Sequence, residues 1–158
     1  MTISKYILVN EAFFGMEIAE GFDVFLVKEW DSFAILDLYK AGGWWKETYD
    51  PALLPHLVRS SFCFAVGVHR PSGRTVGMGR LISDGVSDGY IQDLVVLPQY
   101  RGIGIGRAIV RRLVDFGLSA GVTWIALIAK PGAEPFYECM GFSPMAGFIP
   151  MLFHGEGK

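Results

Sequence analysis

Runs of basic charge are missing from this chain: the only adjacent pair is Arg111-Arg112, and the formal net charge is −2. Affinity for nucleic acid grows with the phosphates neutralised, so no nucleic-acid partner is expected. Cysteine is scarce, with only Cys63 and Cys139, far apart and in no CxxC pair. That excludes a disulfide framework and fits a reducing cytoplasm. Cys139 reads as a small packing residue rather than a nucleophile. The three histidines, His56, His69 and His154, have no ligand spacing, so no metal is expected. No apolar run approaches the ~18 residues a bilayer span needs. The first twenty-one residues carry Glu11, Glu17 and Glu20 and lack a basic-then-apolar signal pattern. A soluble, untargeted, cytoplasmic protein without membrane partners is the expectation, with residues 1–20 left unassigned.

What is present is apolar material. Hydrophobic residues make up 51% of 158 residues and charged residues 19%, enough for one globular domain spanning 1–158. The mean hydropathy of +0.35 is high. It implies a large core, or an apolar cleft or subunit interface at the surface. Apolar stretches at the C-terminal end point to a homodimer.

The β-branched and aromatic run Phe22 to Lys28 predicts a strand. Trp30-Asp31-Ser32 offers cap chemistry for a helix through Ala34 to Ala41, stopped by Gly42-Gly43. Asp50-Pro51 marks a second helix start, with Leu53, Leu54, Leu57 and Val58 facing inward and Pro55 keeping the helix short. Phe62–His69 and Arg74–Ser83 flank the turn Arg70-Pro71-Ser72-Gly73 and predict a hairpin. Tyr90–Pro98 is a further strand. A helix from about Gly104 to Ala120 carries Ile105, Ile109, Leu113 and Phe116 at helical spacing and stops at Gly121. Val122–Ala129 reads as a buried strand, 134–141 as a short helix, and the tail through Phe153 as a last strand. A meander followed by a strand–helix–strand crossover implies an α+β fold.

The most informative segment is Leu94 to Val110, where a strand runs through Gly102, Gly104 and Gly106 into a helix. The first N–H groups of a helix lack internal partners and carry partial positive charge, so such a loop can cradle a pyrophosphate. Arg101 and Arg107 stand ready to add charge-assisted hydrogen bonds. A dinucleotide fingerprint fails, because Arg107 replaces the third glycine and the next strand supplies no acid. A P-loop fails because no lysine follows Gly106. Glycines that merely permit tight packing are a further alternative.

Arg101-x-x-Gly104-x-Gly106 matches the R/Q-x-x-G-x-G/A signature of the GNAT superfamily of N-acetyltransferases. Tyr90 to Gly106 resembles that family's fourth strand and pyrophosphate loop, and Glu134 to Phe142 its second conserved segment. Val76 to Gly85 resembles the preceding strand in a small bacterial or archaeal single-domain branch. The likeness covers roughly residues 62–142, and the N-terminal third only by element order. It implies a mixed, mostly antiparallel sheet flanked by helices and splayed between the fourth and fifth strands. Acetyl-CoA would be the cosubstrate. Its pantetheine would lie along Leu94, Val95 and Val96, and its pyrophosphate on Arg101, Gly102, Ile103, Gly104, Ile105, Gly106 and Arg107.

Acetyl transfer needs a neutral amine, a stabilised oxyanion and a proton for the departing thiolate. Direct attack needs no protein nucleophile. Tyr137 matches the family's helix tyrosine and is the expected general acid; a phenol of pKa near ~10 suits a thiolate of similar basicity. The base is less determined. Tyr90 stands where many relatives carry glutamate; Gln92 shares its face, and Asp93 joins them only if a bulge resets the phase. Asp93 is the candidate base, beside the alternative of a water. Asp84 and Asp88 read as turn residues. Lys130 stands where relatives often carry an asparagine that contacts pantetheine, and lysine cannot accept a hydrogen bond. Trp44, Trp45 and Tyr90 are the expected acceptor-side residues, with Trp44, Trp45 and Tyr49 forming an aromatic wall or else core packing. The expected activity is N-acetylation of a small primary amine. A protein amine as acceptor and an acetyl-CoA sensor without chemistry are the alternatives.

Overall fold

A computed structural model describes residues 20–155. The expectations placed on residues 1–19 lie outside them. Two compact units are distinguished, one ending at Leu127 and one beginning at Ile128.

The first unit is a five-stranded sheet in the order β1-β2-β3-β4-β5. The strands are β1 (Phe22–Val27), β2 (Cys63–His69), β3 (Arg74–Ile82), β4 (Asp88–Val96) and β5 (Trp124–Leu127). The first three pairings are antiparallel and β4–β5 is parallel. Between β1 and β2 lie α1 (Ser32–Ala41), a 3₁₀ turn (Pro51–Leu53) and α2 (Leu54–Ser60), and α3 (Ile105–Ser119) joins β4 to β5. This is the α+β architecture the sequence implies.

The two faces of the sheet differ in side-chain size. On one face, Cβ atoms placed on Gly67, Gly77 and Gly79 would meet Ile105, Ile109 and Leu113, so glycine lets α3 lie close to the strands. On the other face, Phe64, Val66, Val76 and Met78 alternate with those small residues and are fully buried with Ile35 and Leu38 of α1 and Val58 of α2. Removing the Cδ1 methyl of Ile109, which lies 3.5 Å and 3.1 Å from the Cβ positions of Gly67 and Gly77, leaves a void that the rigid strands cannot close. Ile109→Val is therefore expected to cost about 1 kcal/mol in urea unfolding. An unchanged midpoint would mean the trough collapses around the smaller side chain.

Helix ends follow their capping chemistry. Asp31 accepts from Phe33 N–H at 3.0 Å and starts α1. Asp50 accepts from Ala52 N–H at 2.9 Å, and its cap opens the 3₁₀ turn rather than α2 itself. Pro55 sits in the first turn of α2, where its missing N–H costs nothing. Leu53, expected inside, is exposed on that turn, whereas Leu54 and Val58 are buried.

β5 departs from expectation in two ways. It is four residues long, and Trp124 is more than half exposed, so composition overstated its burial. An edge strand covers its apolar side chains on fewer sides than a central one. β5 pairs with β4 over its whole length, from Asp88↔Trp124 to Ile91↔Leu127, and ends there, so within the first unit no strand pairs the β4 edge beyond Ile91.

The second unit contains α4 (Glu134–Glu138), followed by Gly141 at φ 97°. No strand forms in 143–155, contrary to the reading of the tail. A strand needs a hydrogen-bonded neighbour, and apolar composition does not supply one. Phe148, Ile149, Met151, Leu152 and Phe153 are all exposed.

Candidate active site

The glycine loop has the geometry of an anion cradle. β4 ends in a 3₁₀ turn (Pro98–Tyr100), and Gly102 (φ 80°) and Gly104 (φ 92°) follow, both left-handed. Positive φ is a glycine conformation, and a Cβ at either position would meet nothing within 4 Å. Tight packing is therefore not what these two glycines serve. The first bond of α3 runs from Ala108 N–H to Gly104 O, and no side chain caps Gly104. The N–H groups of Ile105, Gly106 and Arg107 precede it and have no helical acceptor. The Ile105 side chain is buried in the core, so only its main chain serves the loop. Ile103 and Arg107 are exposed.

Arg101 does something the sequence did not indicate. Its Nε donates to Val96 O at 2.8 Å, tying the loop to the end of β4. Leu97 N–H donates to Val76 O, which turns the main chain of Val95 and Leu97 toward β3. By alternation, the main-chain groups of Leu94 and Val96 face the opposite edge of β4, beyond the last β5 pair.

The bulge on which Asp93 depended is present. The register passes from Arg80↔Gln92 to Met78↔Val95, one extra residue on β4, and Asp93 has φ 57°. It is the one non-glycine residue at positive φ among the described residues. The bulge puts Asp93 on the α1 face together with Gln92 and Tyr90. Its carboxylate accepts from Tyr39 Oη and from Arg80 Nε, each at 2.6 Å. Arg80 also donates through Nη2 to Gln92 Oε1 at 2.9 Å, so its fork spans the bulge. The side chains of Arg80 and Asp93 are 19% and 14% exposed. Burial, and then the bond to Asp93, push the Tyr39 phenol far above its ordinary range, so it donates and does not ionise.

Tyr39 also meets the aromatic cover. Its ring lies 6.2 Å from Trp44 and 6.5 Å from Trp45, and Trp45 stands edge-on to Tyr49 at 5.7 Å. Trp44 N–H returns to Tyr39 O, and a Cβ on Gly42 would lie 2.6 Å from the Trp44 ring, so glycine there admits the indole. Trp44 and Trp45 are half-buried and Tyr49 is exposed. Trp44, Trp45 and Tyr90, the residues expected on the acceptor side, thus share a face with Asp93. Tyr39 and Arg80 were missed. A lone arginine inside the apolar run Val76 to Ile82 was the available signal for Arg80; nothing local marked Tyr39. A separate cavity of about 250 Å³ lies at the other end of α1, against Asp31, Asp37, Arg74 and Thr75. Its lining includes none of Tyr39, Trp44, Trp45, Arg80, Tyr90 and Asp93.

In the second unit, Tyr137 lies on α4 and is half-buried, its ring 4.9 Å from Phe136 and 5.9 Å from Phe142. Cys139 is exposed, which corrects its reading as a packed residue; its Sγ lies 3.0 Å from Phe136 O. Cys63 is buried, and burial pushes its thiol up to about 12, with nearby Lys28 pulling the other way. Among the described residues, no His, Cys, Asp and Glu side chains gather as metal ligands would. No described helix is long and apolar enough to cross a membrane.

Comparison with known proteins accounts for this arrangement. A model described as the acetyltransferase (GNAT) family matches residues 27–142. Serotonin N-acetyltransferase 2, chloroplastic, of Oryza sativa subsp. japonica is 42% identical over 72 residues, 46% of this chain and 36% of that protein. Glucosamine 6-phosphate N-acetyltransferase of Trypanosoma brucei brucei is 36% identical over 92 residues, 54% of this chain and 59% of that protein. The chain thus spans between about a third and three fifths of the length of these relatives. A crystal structure of a Trypanosoma brucei acetyltransferase superposes with a TM-score of 0.69 at 26% identity, covering 84% of this chain and 99% of that one. These relatives are neither bacterial nor archaeal, so placement in a bacterial or archaeal branch finds no support in them. With the glycine loop, the β4 bulge and the parallel β4–β5 pair all inside the matched segment, the chain belongs to the GNAT acetyltransferase family.

Proposed function

We propose that this protein transfers the acetyl group of acetyl-CoA to a primary amine on a small molecule, by direct attack. The observation that carries the reading is the pairing of an uncapped α3 N-terminus, with open glycines at 102 and 104, and a β4 edge that no strand of the first unit pairs beyond Ile91. The pyrophosphate binds the main chain of Gly102, Ile103, Gly104, Ile105 and Gly106, with Arg107 beside it; Arg101 acts by fixing the loop to Val96. Pantetheine pairs with main-chain groups of Leu94 and Val96, which flank Val95. Trp44, Trp45 and Tyr90 line the acceptor side. Serotonin and glucosamine 6-phosphate, named for the two relatives above, both carry primary amines on small molecules.

The chemistry balances without a protein nucleophile. The amine nitrogen attacks the thioester carbon, and the carbon–sulfur bond breaks as the tetrahedral intermediate collapses. The amine's proton goes to Asp93, directly or through water, and Tyr137 protonates the thiolate. Solvent then returns both groups to their starting states.

The family match runs across both compact units, which supports one acyltransferase domain over 1–158. The exposed apolar tail supports a homodimer. Free cysteines support a reducing compartment, cytoplasmic or, as the rice relative's name suggests, chloroplastic.

Calorimetric titration with acetyl-CoA, with NADH and ATP as controls, tests the cradle, and thiol release with a panel of amines tests the chemistry. Saturable binding of acetyl-CoA alone and amine-dependent thiol release are expected. Folded protein that binds no acetyl-CoA would overturn the reading; binding without turnover on any amine would leave a sensor.

A further inference from the structure

Both donors to Asp93 converge on one oxygen. Tyr39 Oη and Arg80 Nε each lie 2.6 Å from Oδ2, and no described residue donates to Oδ1. The Asp93 side chain is 14% exposed, so the carboxylate is largely covered but not sealed. It is thus fixed at one oxygen, while the other carries no donor from the described residues.

The fixing is over-determined. Asp93 sits at φ 57°, a conformation aspartate tolerates better than most residues but at some cost in energy. The Arg80 fork joins Asp93 and Gln92 on either side of the bulge, and Tyr39 reaches the same carboxylate from α1. Strained residues held from several elements concentrate at functional sites. Tyr39 contacts Trp44 and Trp45 as well, so one side chain links the aromatic cover to the carboxylate.

We propose that Tyr39 and Arg80 are positioning residues that act through Asp93: they hold Oδ2 so that Oδ1 meets the acceptor's amine. The inference rests on the acetyl-transfer reading above and adds to it how the amine is aligned. In the reaction, Oδ1 accepts the N–H hydrogen bond of the attacking amine. Tyr39 and Arg80 transfer no proton and touch no substrate atom. A carboxylate that swings between rotamers would spend little time in line with the amine, and a fixed one removes that cost.

The test is a double-mutant cycle on the full chain with the amine that wild type turns over best. Tyr39→Phe keeps the ring and its aromatic contacts and removes only the hydroxyl. It is expected to lower kcat/KM for the amine about 10-fold or more, as loss of a hydrogen bond to a charged group does, with KM for acetyl-CoA unchanged. In an Asp93→Asn background the same substitution is expected to change kcat/KM by less than about twofold, because the group it acts through is gone. Arg80→Lys is the second variant. It keeps the charge, loses the arm to Gln92, and is expected to show the same loss of effect in Asp93→Asn. Cooperative melting and an intact acetyl-CoA affinity confirm that each variant is folded. Effects that add fully to Asp93→Asn, or a Tyr39→Phe enzyme as active as wild type, overturn the positioning role and leave acetyl transfer standing. Wild type that acetylates no amine overturns acetyl transfer, and this role with it.

Discussion

Tyr137→Phe is expected to lower kcat for amine acetylation by about 10²–10⁴-fold, the range a positioned general acid contributes, and to leave the affinity for acetyl-CoA unchanged. The substitution removes one oxygen. The ring keeps its edge contacts with Phe136 and Phe142, so α4 has no packing reason to move. The loss falls on kcat because the proton is needed only as the carbon–sulfur bond breaks, and an interaction made only in the transition state does not show in ground-state binding. A donor that needs no proton separates this role from a structural one. With p-nitrophenyl acetate, whose leaving group departs as an anion, the deficit of Tyr137→Phe is expected to shrink toward wild type. An equal deficit with both donors means the hydroxyl shapes the site. No deficit with acetyl-CoA removes Tyr137 from the mechanism and transfers the proton's source to water.

Arg80→Met is expected to destabilise the fold by about 3 kcal/mol, the lower part of the range for stranding one member of a buried ion pair. The lower part applies because both side chains keep some contact with water, at 19% and 14% exposure. The cost lies mostly in what remains: a carboxylate on a bulge with one donor, Tyr39, in place of two, and a Gln92 amide without its partner. One further measurement identifies the cause. Adding Asp93→Asn removes the charge and keeps a residue that tolerates positive φ, so the double variant is expected to recover much of the loss in urea unfolding. A deficit that persists unchanged in the double variant would assign the effect to the arginine's apolar stem packing on the sheet.

Much of the site was legible where its chemistry is local. Gly102 and Gly104 follow a strand and precede a helix whose first turn holds Gly106, and that order alone places unpartnered N–H groups at the loop, as an anion cradle requires. Asp93 was legible only conditionally. Strand alternation turns it away from Gln92, and a bulge is a two-strand property: it exists because β3 between Met78 and Arg80 has one residue fewer than β4 opposite it. Tyr39 lay beyond reach for a stronger reason. It is 54 residues from Asp93 in sequence, and nothing in the helix Ser32–Ala41 distinguishes a tyrosine that packs from one that donates to a distant carboxylate.

The sequence by itself determined the elements with local causes: caps at Asp31 and Asp50, the hairpin turn at Arg70–Gly73, the amphipathic helix from Ile105, and the glycine loop. It misjudged elements whose state depends on neighbours. The tail is apolar yet forms no strand, and β5 is apolar yet half exposed, because a strand's hydrogen bonds and burial come from what lies beside it. Only the tertiary structure decided that Arg101 turns back to Val96, that β5 ends opposite Ile91, and that three separate elements meet at one carboxylate oxygen. Each of these is a contact between residues whose local preferences are satisfied without it. The folded sheet selects among those preferences, and the sequence read along its length does not.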